Sequence, residues 1–288
     1  MSADQEAKDD ELLALASIYD EEEFHRTESG QEGEIHLCIE LPADFRLLVK
    51  GQMEHLVVAA SRPLGPSLIQ VFSYMLLGQT PSEHTVSSLP PLVLSFELPA
   101  DYPSRTPPIF TLSSKWLTRV QITALCRRLD ELWEENYGNV ILFTWIQFLK
   151  EETLDHLRIM SPLEIQSNGS QDQSQAGQRQ AAVASGEKSK AQELDPRAVQ
   201  EVDFKTDLLT LLLDFDGAQK EKVFNAKLFC CGICFSEKLG SDCLVFKECQ
   251  HVYCKTCVKE YFEIQIKDGK VQCLHCPEPE CTSMATPT

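Results

Sequence analysis

Pairs of cysteine and histidine residues near the C-terminus are the part of this 288-residue chain best suited to chemistry. Three pairs follow one another closely: Cys231 and Cys234, Cys249 and His251, and Cys254 and Cys257. A further group of cysteines lies just downstream. Zinc in a structural site takes four nitrogen or sulfur ligands in a closed tetrahedron, without a position for a catalytic water. Seven cysteines and one histidine therefore predict two zinc ions and no catalytic residue.

The histidine lies inside the second pair, which favours an interleaved arrangement over one that fills each ion from consecutive pairs. One ion would then take the first and third pairs, and the other would take Cys249, His251 and two of the last cysteines. Spacing leaves that last pair open. Cys273 with Cys276 has the commoner knuckle spacing, whereas Cys276 with Cys281 encloses a wider loop stiffened by proline.

A disulfide framework is the alternative to metal binding, but four closely spaced pairs with an internal histidine favour metal. The N-terminus shows no signal-peptide pattern, so we expect a reducing compartment with free thiolates. A net charge of −18 argues against nucleic-acid binding, which needs clustered Lys and Arg. The apolar residues 67–77 are too short to cross a bilayer, so we expect no membrane partner.

The first half of the chain alternates between helical and strand patterns and predicts an α+β fold. Leu12 and Leu15 lie at helical spacing within residues 11–19, and Leu13 and Ile18 widen that apolar stripe. Period-two alternation and short turns predict strands of an antiparallel meander at residues 34–41, 45–50, 92–98 and 109–112. Two helical segments follow, the second of them at residues 140–158.

A proline-rich turn precedes the last of these strands and carries the motif residues Tyr102, Pro103, Pro107 and Pro108. The order of helix, strands, Tyr-Pro-x-x-x-Pro-Pro turn and helices resembles the RWD domain. The alternative is an ordinary proline-rich turn. The resemblance implies an α+β interaction module that binds a protein substrate or coregulator and performs no chemistry of its own.

Composition divides the chain into successive segments. Residues 1–158 form the RWD-like domain, with a core at 11–137 and an atypical insert at about 51–88. Residues 159–195 are rich in Ser, Gln, Gly and Ala and predict a disordered linker. We expect a helical segment at 196–226, with apolar residues that include Val199 and Leu212. The zinc domain occupies 227–281, and residues 282–288 form a tail.

The zinc segment resembles a RING finger of the C3HC4 type. Together with the RWD-like domain, residues 229–240 and 261–266 extend that resemblance to the RING-between-RING (RBR) E3 ubiquitin ligases. The first RINGs of that family end in Cys-Pro and a cysteine a few residues on, which implies Cys276 and Cys281 as the last ligands. A ubiquitin-charged conjugating enzyme (E2) would contact Ile233, Tyr261 and Pro277.

The family passes ubiquitin from the E2 to a cysteine in a second RING, so we expect a chain that is truncated after its first RING. The family also suggests location in the cytoplasm and nucleus. Two alternatives remain open. A non-catalytic adaptor, for instance a transcriptional coregulator, would not need Ile233. A conventional RING ligase would use Ile233 but discharge ubiquitin directly to lysine.

Overall fold

Two compact units make up the chain, Met1–Asp216 and Gly217–Thr288. The computed structural model describes residues 3–27, 31–50, 82–166, 194–201, 207–269 and 275–284. Among the described residues of the first unit, the helices are α1 (Ala3–Ile18), α2 (Arg119–Glu135), α3 (Leu142–Glu151) and α4 (Thr153–His156). Helix α5 (Leu208–Ala226) contains the boundary between the units.

The described strands of the first unit form two sheets. In chain order they are β1 (Phe24–Arg26), β2 (Glu32–Leu37), β3 (Arg46–Lys50), β4 (Ser82–Thr85), β5 (Leu92–Glu97), β6 (Ile109–Ser114), β7 (Leu163–Gln166) and β8 (Ala198–Gln200). The larger sheet has the order β1-β2-β5-β6-β8, and the smaller has the order β4-β3-β7. All pairings are antiparallel except β6 with β8 and β3 with β7. The predicted α+β class is confirmed.

The core of this unit lies between the helices and the inward faces of the strands. Alternate residues of β2 and β5 are buried, as the period of two in their sequences requires. A capping box at Thr118 and Gln121 begins α2, and Trp145 of α3 is fully buried. The buried apolar stripe of helix α1 is narrower than predicted, because Leu12 and Leu15 are buried but Leu13 and Ile18 are 67% and 56% exposed.

Tyr102 joins three segments of the first unit through hydrogen bonds. Its hydroxyl donates to Oε2 of Glu11 at 2.7 Å and accepts from the backbone N–H of Ile141 at 2.8 Å. The N–H of Leu142 donates to the other carboxylate oxygen of Glu11 at 2.7 Å. Tyr102 is completely buried, and burial raises the pKa of both side chains. The motif residue thus holds α1 to the start of α3.

Two predictions about the first unit are wrong in part. The insert at 51–88 is too long by its last residues, because β4 pairs with β3 and Val86 is buried. Residues 51–81 lie outside the described residues. The predicted helix at 140–158 begins at Leu142, is interrupted at Glu152 and ends at His156, two residues before Arg158 with its left-handed φ of 54°. In the proline-rich turn, the N–H of Arg105 donates to the carbonyl of Asp101 at 2.9 Å.

The predicted linker and helical segment also need correction. Strand β7 lies within residues 159–195 and pairs with β3. Ile165 of this strand is only 3% exposed and belongs to the core. Residues 167–193 lie outside the described residues. Residues 198–200 are a strand and not a helix, because their backbone continues the edge of the larger sheet beside β6. The helix begins only at Leu208.

Arg197 fixes the segment that contains β8 to the first unit. Its guanidinium donates to both carboxylate oxygens of Asp130, at 2.8 and 2.6 Å, and to Asp195. It also lies 4.4 Å from the ring centroid of Phe110. Hydrogen bonds to Asp130 and Asp195 raise the pKa of Arg197, so the side chain remains charged. Further along, Asp216 of α5 accepts hydrogen bonds from the N–H groups of Ser87 and Ser88.

In the described residues, the second unit contains the C-terminal part of α5, two short hairpins, a 3-10 turn (Gly240–Asp242) and a further helix. Strands β9 (Leu228–Cys230) and β10 (Glu237–Leu239) pair with each other, as do β11 (Cys243–Val245) and β12 (Val252–Cys254). Helix α6 (Lys255–Lys267) follows β12 directly. Gly240 is needed between the hairpins, because an added Cβ would lie 1.8 Å from the carbonyl oxygen of Phe224.

Replacement of Tyr102 by phenylalanine should destabilise the first unit by about 1–3 kcal/mol, because it leaves buried groups of Glu11 and Ile141 without their partner. All three tryptophans, Trp116, Trp133 and Trp145, lie in this unit, so tryptophan fluorescence in urea reports its unfolding. Tyr137→Phe is the matched control, since Tyr137 is 62% exposed. Equal midpoints for the two variants would contradict the role of the hydroxyl.

Candidate metal centre

The first group of candidate ligands contains Cys231, Cys234, Cys254 and Cys257, whose sulfurs all lie within 4.8 Å of one another. Two come from the knuckle between β9 and β10, and two from the junction of β12 with α6. The N–H of Phe235 donates to the carbonyl of Cys231 at 2.8 Å, and a φ of 56° at Phe235 turns the chain back. The hairpin therefore holds the knuckle in the conformation that brings its sulfurs together.

The second group contains Cys249, His251, Cys276 and Cys281, with donor atoms again within 4.8 Å of one another. A turn after β11 positions the first two, where the N–H of Gln250 donates to the carbonyl of Phe246 at 2.7 Å. The loop of Cys276 and Cys281 is closed at its base by a hydrogen bond from the N–H of Cys276 to the carbonyl of Ser283, at 2.8 Å.

The spacing of these atoms fits a tetrahedral ion of the size of zinc. Ligand distances of 2.3 Å for sulfur and 2.0–2.1 Å for nitrogen place two sulfurs about 3.8 Å apart, and a sulfur and a nitrogen about 3.6 Å apart. The sulfurs of Cys234 and Cys254 are 3.9 Å apart. The sulfur of Cys276 lies 3.4 Å from Nδ1 of His251. Either group can thus hold one metal ion with its own four donors.

Local hydrogen bonds and burial shift the thiol pKa values of the candidate ligands in opposite directions. Burial opposes ionisation of Cys231, but backbone donors from Cys234, Cys254 and Ile233 outweigh it and lower the pKa of the thiol to about 6. Burial raises the pKa of Cys276 to about 11. A metal ion must therefore displace protons from some of these sulfurs, so its affinity falls as the pH is lowered.

The structure brings together the eight residues of the interleaved arrangement in the two predicted groups, and their role as ligands remains a prediction. Cys273 lies outside the described residues. Ile233 is 40% exposed, while Tyr261 and Pro277 are half-buried. In the other unit, Tyr102, Pro103 and Pro108 are buried and Pro107 is exposed. These four belong to the turn of the first unit and not to the metal centre.

Sequence reasoning missed the contacts between the two groups. Tyr253 is 3% exposed, and its hydroxyl donates to Oε2 of Glu278 at 2.7 Å. Phe246 packs edge-on against the Tyr253 ring, with centroids 6.2 Å apart, and also against Phe262. An aromatic residue between His251 and Cys254 was visible in the sequence, but nothing in the spacing identified Glu278 as its partner.

The α+β unit and the paired Cys/His groups define a protein with one α+β domain and one small domain whose side chains could hold two metal ions. The RWD domain family model matches residues 6–153. The chain therefore belongs to the RWD domain family.

Several curated relatives match almost the whole chain. It is similar to the "E3 ubiquitin-protein ligase RNF14" of Danio rerio, with 70% identity over 288 residues that make up 100% of this chain and 57% of the relative. The human protein of the same name is 50% identical over 99% of this chain and 58% of the relative. The Schizosaccharomyces pombe "E3 ubiquitin-protein ligase itt1" is 26% identical over 94% of this chain and 48% of the relative. The chain thus spans about half the length of these relatives.

No solved structure matches the chain. Among the residues that the structure describes, no helix combines the length and the apolar character needed to cross a membrane.

Removal of metal with a chelator should unfold the metal-binding unit, because closed structural sites supply folding free energy directly. Amide protection in residues 227–281 should be lost, while tryptophan fluorescence from the first unit should stay unchanged. Hydrogen exchange followed by mass spectrometry measures the first response and fluorescence spectroscopy measures the second, each with and without chelator. Protection that survives complete metal removal would show that the ions are not needed for this fold.

The competing last ligands can be separated by matched serine variants. We expect Cys273→Ser to retain two zinc ions per chain and Cys281→Ser to retain one firmly bound ion, because Cys281 completes the four donors of the second group. Elemental analysis after extensive dialysis gives the count. The reverse result would assign Cys273 as the ligand in place of Cys281.

Proposed function

We propose that this chain supplies the E2-recruiting part of an RBR-type E3 ubiquitin ligase. Its two Cys/His groups would each hold a structural zinc ion, and its metal-binding unit would dock a ubiquitin-charged E2. Ubiquitin would then pass to a cysteine in a second RING and from there to a substrate lysine. No cysteine of the two groups acts as the nucleophile in this proposal, because a thiolate bound to zinc is not available for transthiolation.

The observation that carries this proposal is the position of Ile233 between two grouped cysteines. The sulfurs of Cys231 and Cys234 belong to the first group, while the side chain of Ile233 between them remains 40% exposed. An aliphatic side chain held at the surface by metal ligands provides a rigid apolar contact, which loses little conformational entropy on binding. Curated relatives that match nearly the whole chain carry the name E3 ubiquitin-protein ligase.

The proposed E2 surface extends from Ile233 to α6 and to the last metal-binding loop. Tyr261 in α6 and Pro277 in the loop are both half-buried, so each offers part of its side chain to a partner. All three belong to the same compact unit. A conjugating enzyme would bury this patch and gain most of its affinity from a few well-packed apolar residues.

The RWD domain would bind a protein substrate or a coregulator and thereby bring it to the ligase. Membership of the RWD domain family supports an interaction role. We place the protein in the cytoplasm and nucleus, where reduced thiols are available to metal.

Ile233→Ala should weaken binding of a ubiquitin-charged E2 to the zinc-loaded chain by about tenfold or more, as expected for an apolar residue at the centre of an interface. Isothermal titration calorimetry against a panel of E2 enzymes measures the effect. Leu244→Ala is the matched control, because Leu244 has a similar exposure of 44% in the same unit. Zinc content should remain unchanged in both variants.

A discharge assay with free lysine as the acceptor separates the alternatives. Binding that depends on Ile233 without discharge to lysine supports the recruiting role. Discharge to lysine that depends on Ile233 would make the chain a conventional RING ligase. Equal binding by wild type and Ile233→Ala, or no E2 binding at all, would contradict the proposal and favour the non-catalytic adaptor.

A further inference from the structure

Tyr253 lies between the two metal-binding groups and contacts a neighbour of each. It belongs to β12, between His251 of one group and Cys254 of the other. Its ring packs directly against the first knuckle, since a Cβ added to Gly232 would lie 3.2 Å from Cε1 of Tyr253. Packing alone, however, would be served equally well by phenylalanine.

The hydroxyl of Tyr253 reaches the last metal-binding loop. It donates to Oε2 of Glu278 at 2.7 Å and lies 4.0 Å from the sulfur of Cys276. The acceptor is a carboxylate, and hydrogen bonds to charged acceptors are stronger than those between neutral groups.

The loop itself is held by local hydrogen bonds at its base and at its turn. The N–H of Cys276 donates to the carbonyl of Ser283 at 2.8 Å, and the N–H of Cys281 donates to the carbonyl of Glu278 at 3.1 Å. Glu280 has a left-handed φ of 65°. These bonds determine the shape of the loop, but neither of them connects it to the first knuckle. The bond from Tyr253 to Glu278 makes that connection.

The two ends of this connection adjoin the residues proposed to contact the E2. Gly232 precedes Ile233 in the first knuckle, and Glu278 follows Pro277 in the last loop. A single side chain thus spans from the backbone beside one proposed contact to the side chain beside the other. Its length and its hydrogen bond constrain how far apart Ile233 and Pro277 can lie.

We propose that Tyr253 is a positioning residue which, through its hydrogen bond to Glu278, fixes the Pro277 loop relative to the Ile233 knuckle for E2 binding. The role in E2 binding rests on the function proposed above. The constraint on the loop is a property of this chain alone and is testable without an E2. A purely structural role for Tyr253 would need the ring but not the hydroxyl.

The test compares Tyr253→Phe, Glu278→Gln, the double variant and Glu280→Gln in the zinc-loaded full chain. Tyr253→Phe removes only the hydroxyl, and Glu278→Gln weakens the bond by removing the charge of its acceptor. Glu280→Gln removes the same charge from the same loop without touching Tyr253. Zinc content is measured for every variant, since the exposed Glu278 should be replaceable without loss of metal.

We expect all four variants to keep two zinc ions and Tyr253→Phe to bind the E2 about three- to tenfold more weakly, which is less than the full loss of a charge-assisted hydrogen bond because the effect on the E2 is indirect. Glu278→Gln should show a smaller loss, and the double variant should be no weaker than Tyr253→Phe. Glu280→Gln should bind like wild type. In a Pro277→Ala background, Tyr253→Phe should have no further effect, because it acts through that loop.

Amide exchange measured by NMR tests the loop without a partner. Exchange at Glu278 and Cys281 should become faster in Tyr253→Phe and stay unchanged in Glu280→Gln. Unchanged exchange, or full E2 affinity in Tyr253→Phe while Ile233→Ala lowers it, would overturn the positioning role and leave the proposed function intact. If wild type binds no E2, the proposed function fails, and faster loop exchange alone supports the constraint. Loss of zinc in Glu278→Gln would show that Glu278 stabilises the metal site itself, and this would overturn the positioning role.

Discussion

The grouping of eight candidate metal ligands is the constraint on which the second unit depends. Its buried apolar cluster is small, and four of its members are cysteines: Cys231, Cys243, Cys254 and Cys276. So small an apolar cluster does little to offset the conformational entropy of the loops, so further cross-links would stabilise the unit. Because each group takes donors from separate parts of the chain, two ions would join the hairpins, the helix and the last loop at once.

The first unit depends on a larger apolar core and on a few polar contacts that select among ways of packing it. Tyr102 and Glu11 satisfy one another and the N–H groups at the start of α3, so the RWD motif fixes the position of two helices. Arg197 fixes the position of the segment that follows residue 193, because its guanidinium donates to the two carboxylate oxygens of Asp130. Buried polar groups with complete sets of partners define a single arrangement that apolar packing alone does not specify.

The features that could be predicted from sequence have local signals, and those that could not depend on distant partners. The spacing of Cys231 and Cys234 is a local signal of metal ligands, and the histidine inside the second pair favoured the grouping of Cys231 with Cys254 before any fold was known. Strands β7 and β8 contain only four and three residues, and their place comes from β3 and β6 far away in the chain. The bond between Tyr253 and Glu278 joins residues 25 positions apart, and no periodicity identifies such a pair.

The chain returns to the first unit through β8, and this determines what the polar segment before β8 connects. Both Gln166 and Ala198 belong to strands of the first unit, so the chain between them starts and ends in one domain and does not connect two domains. A break of the chain between these two strands would therefore leave two pieces that each contribute a strand to the same domain.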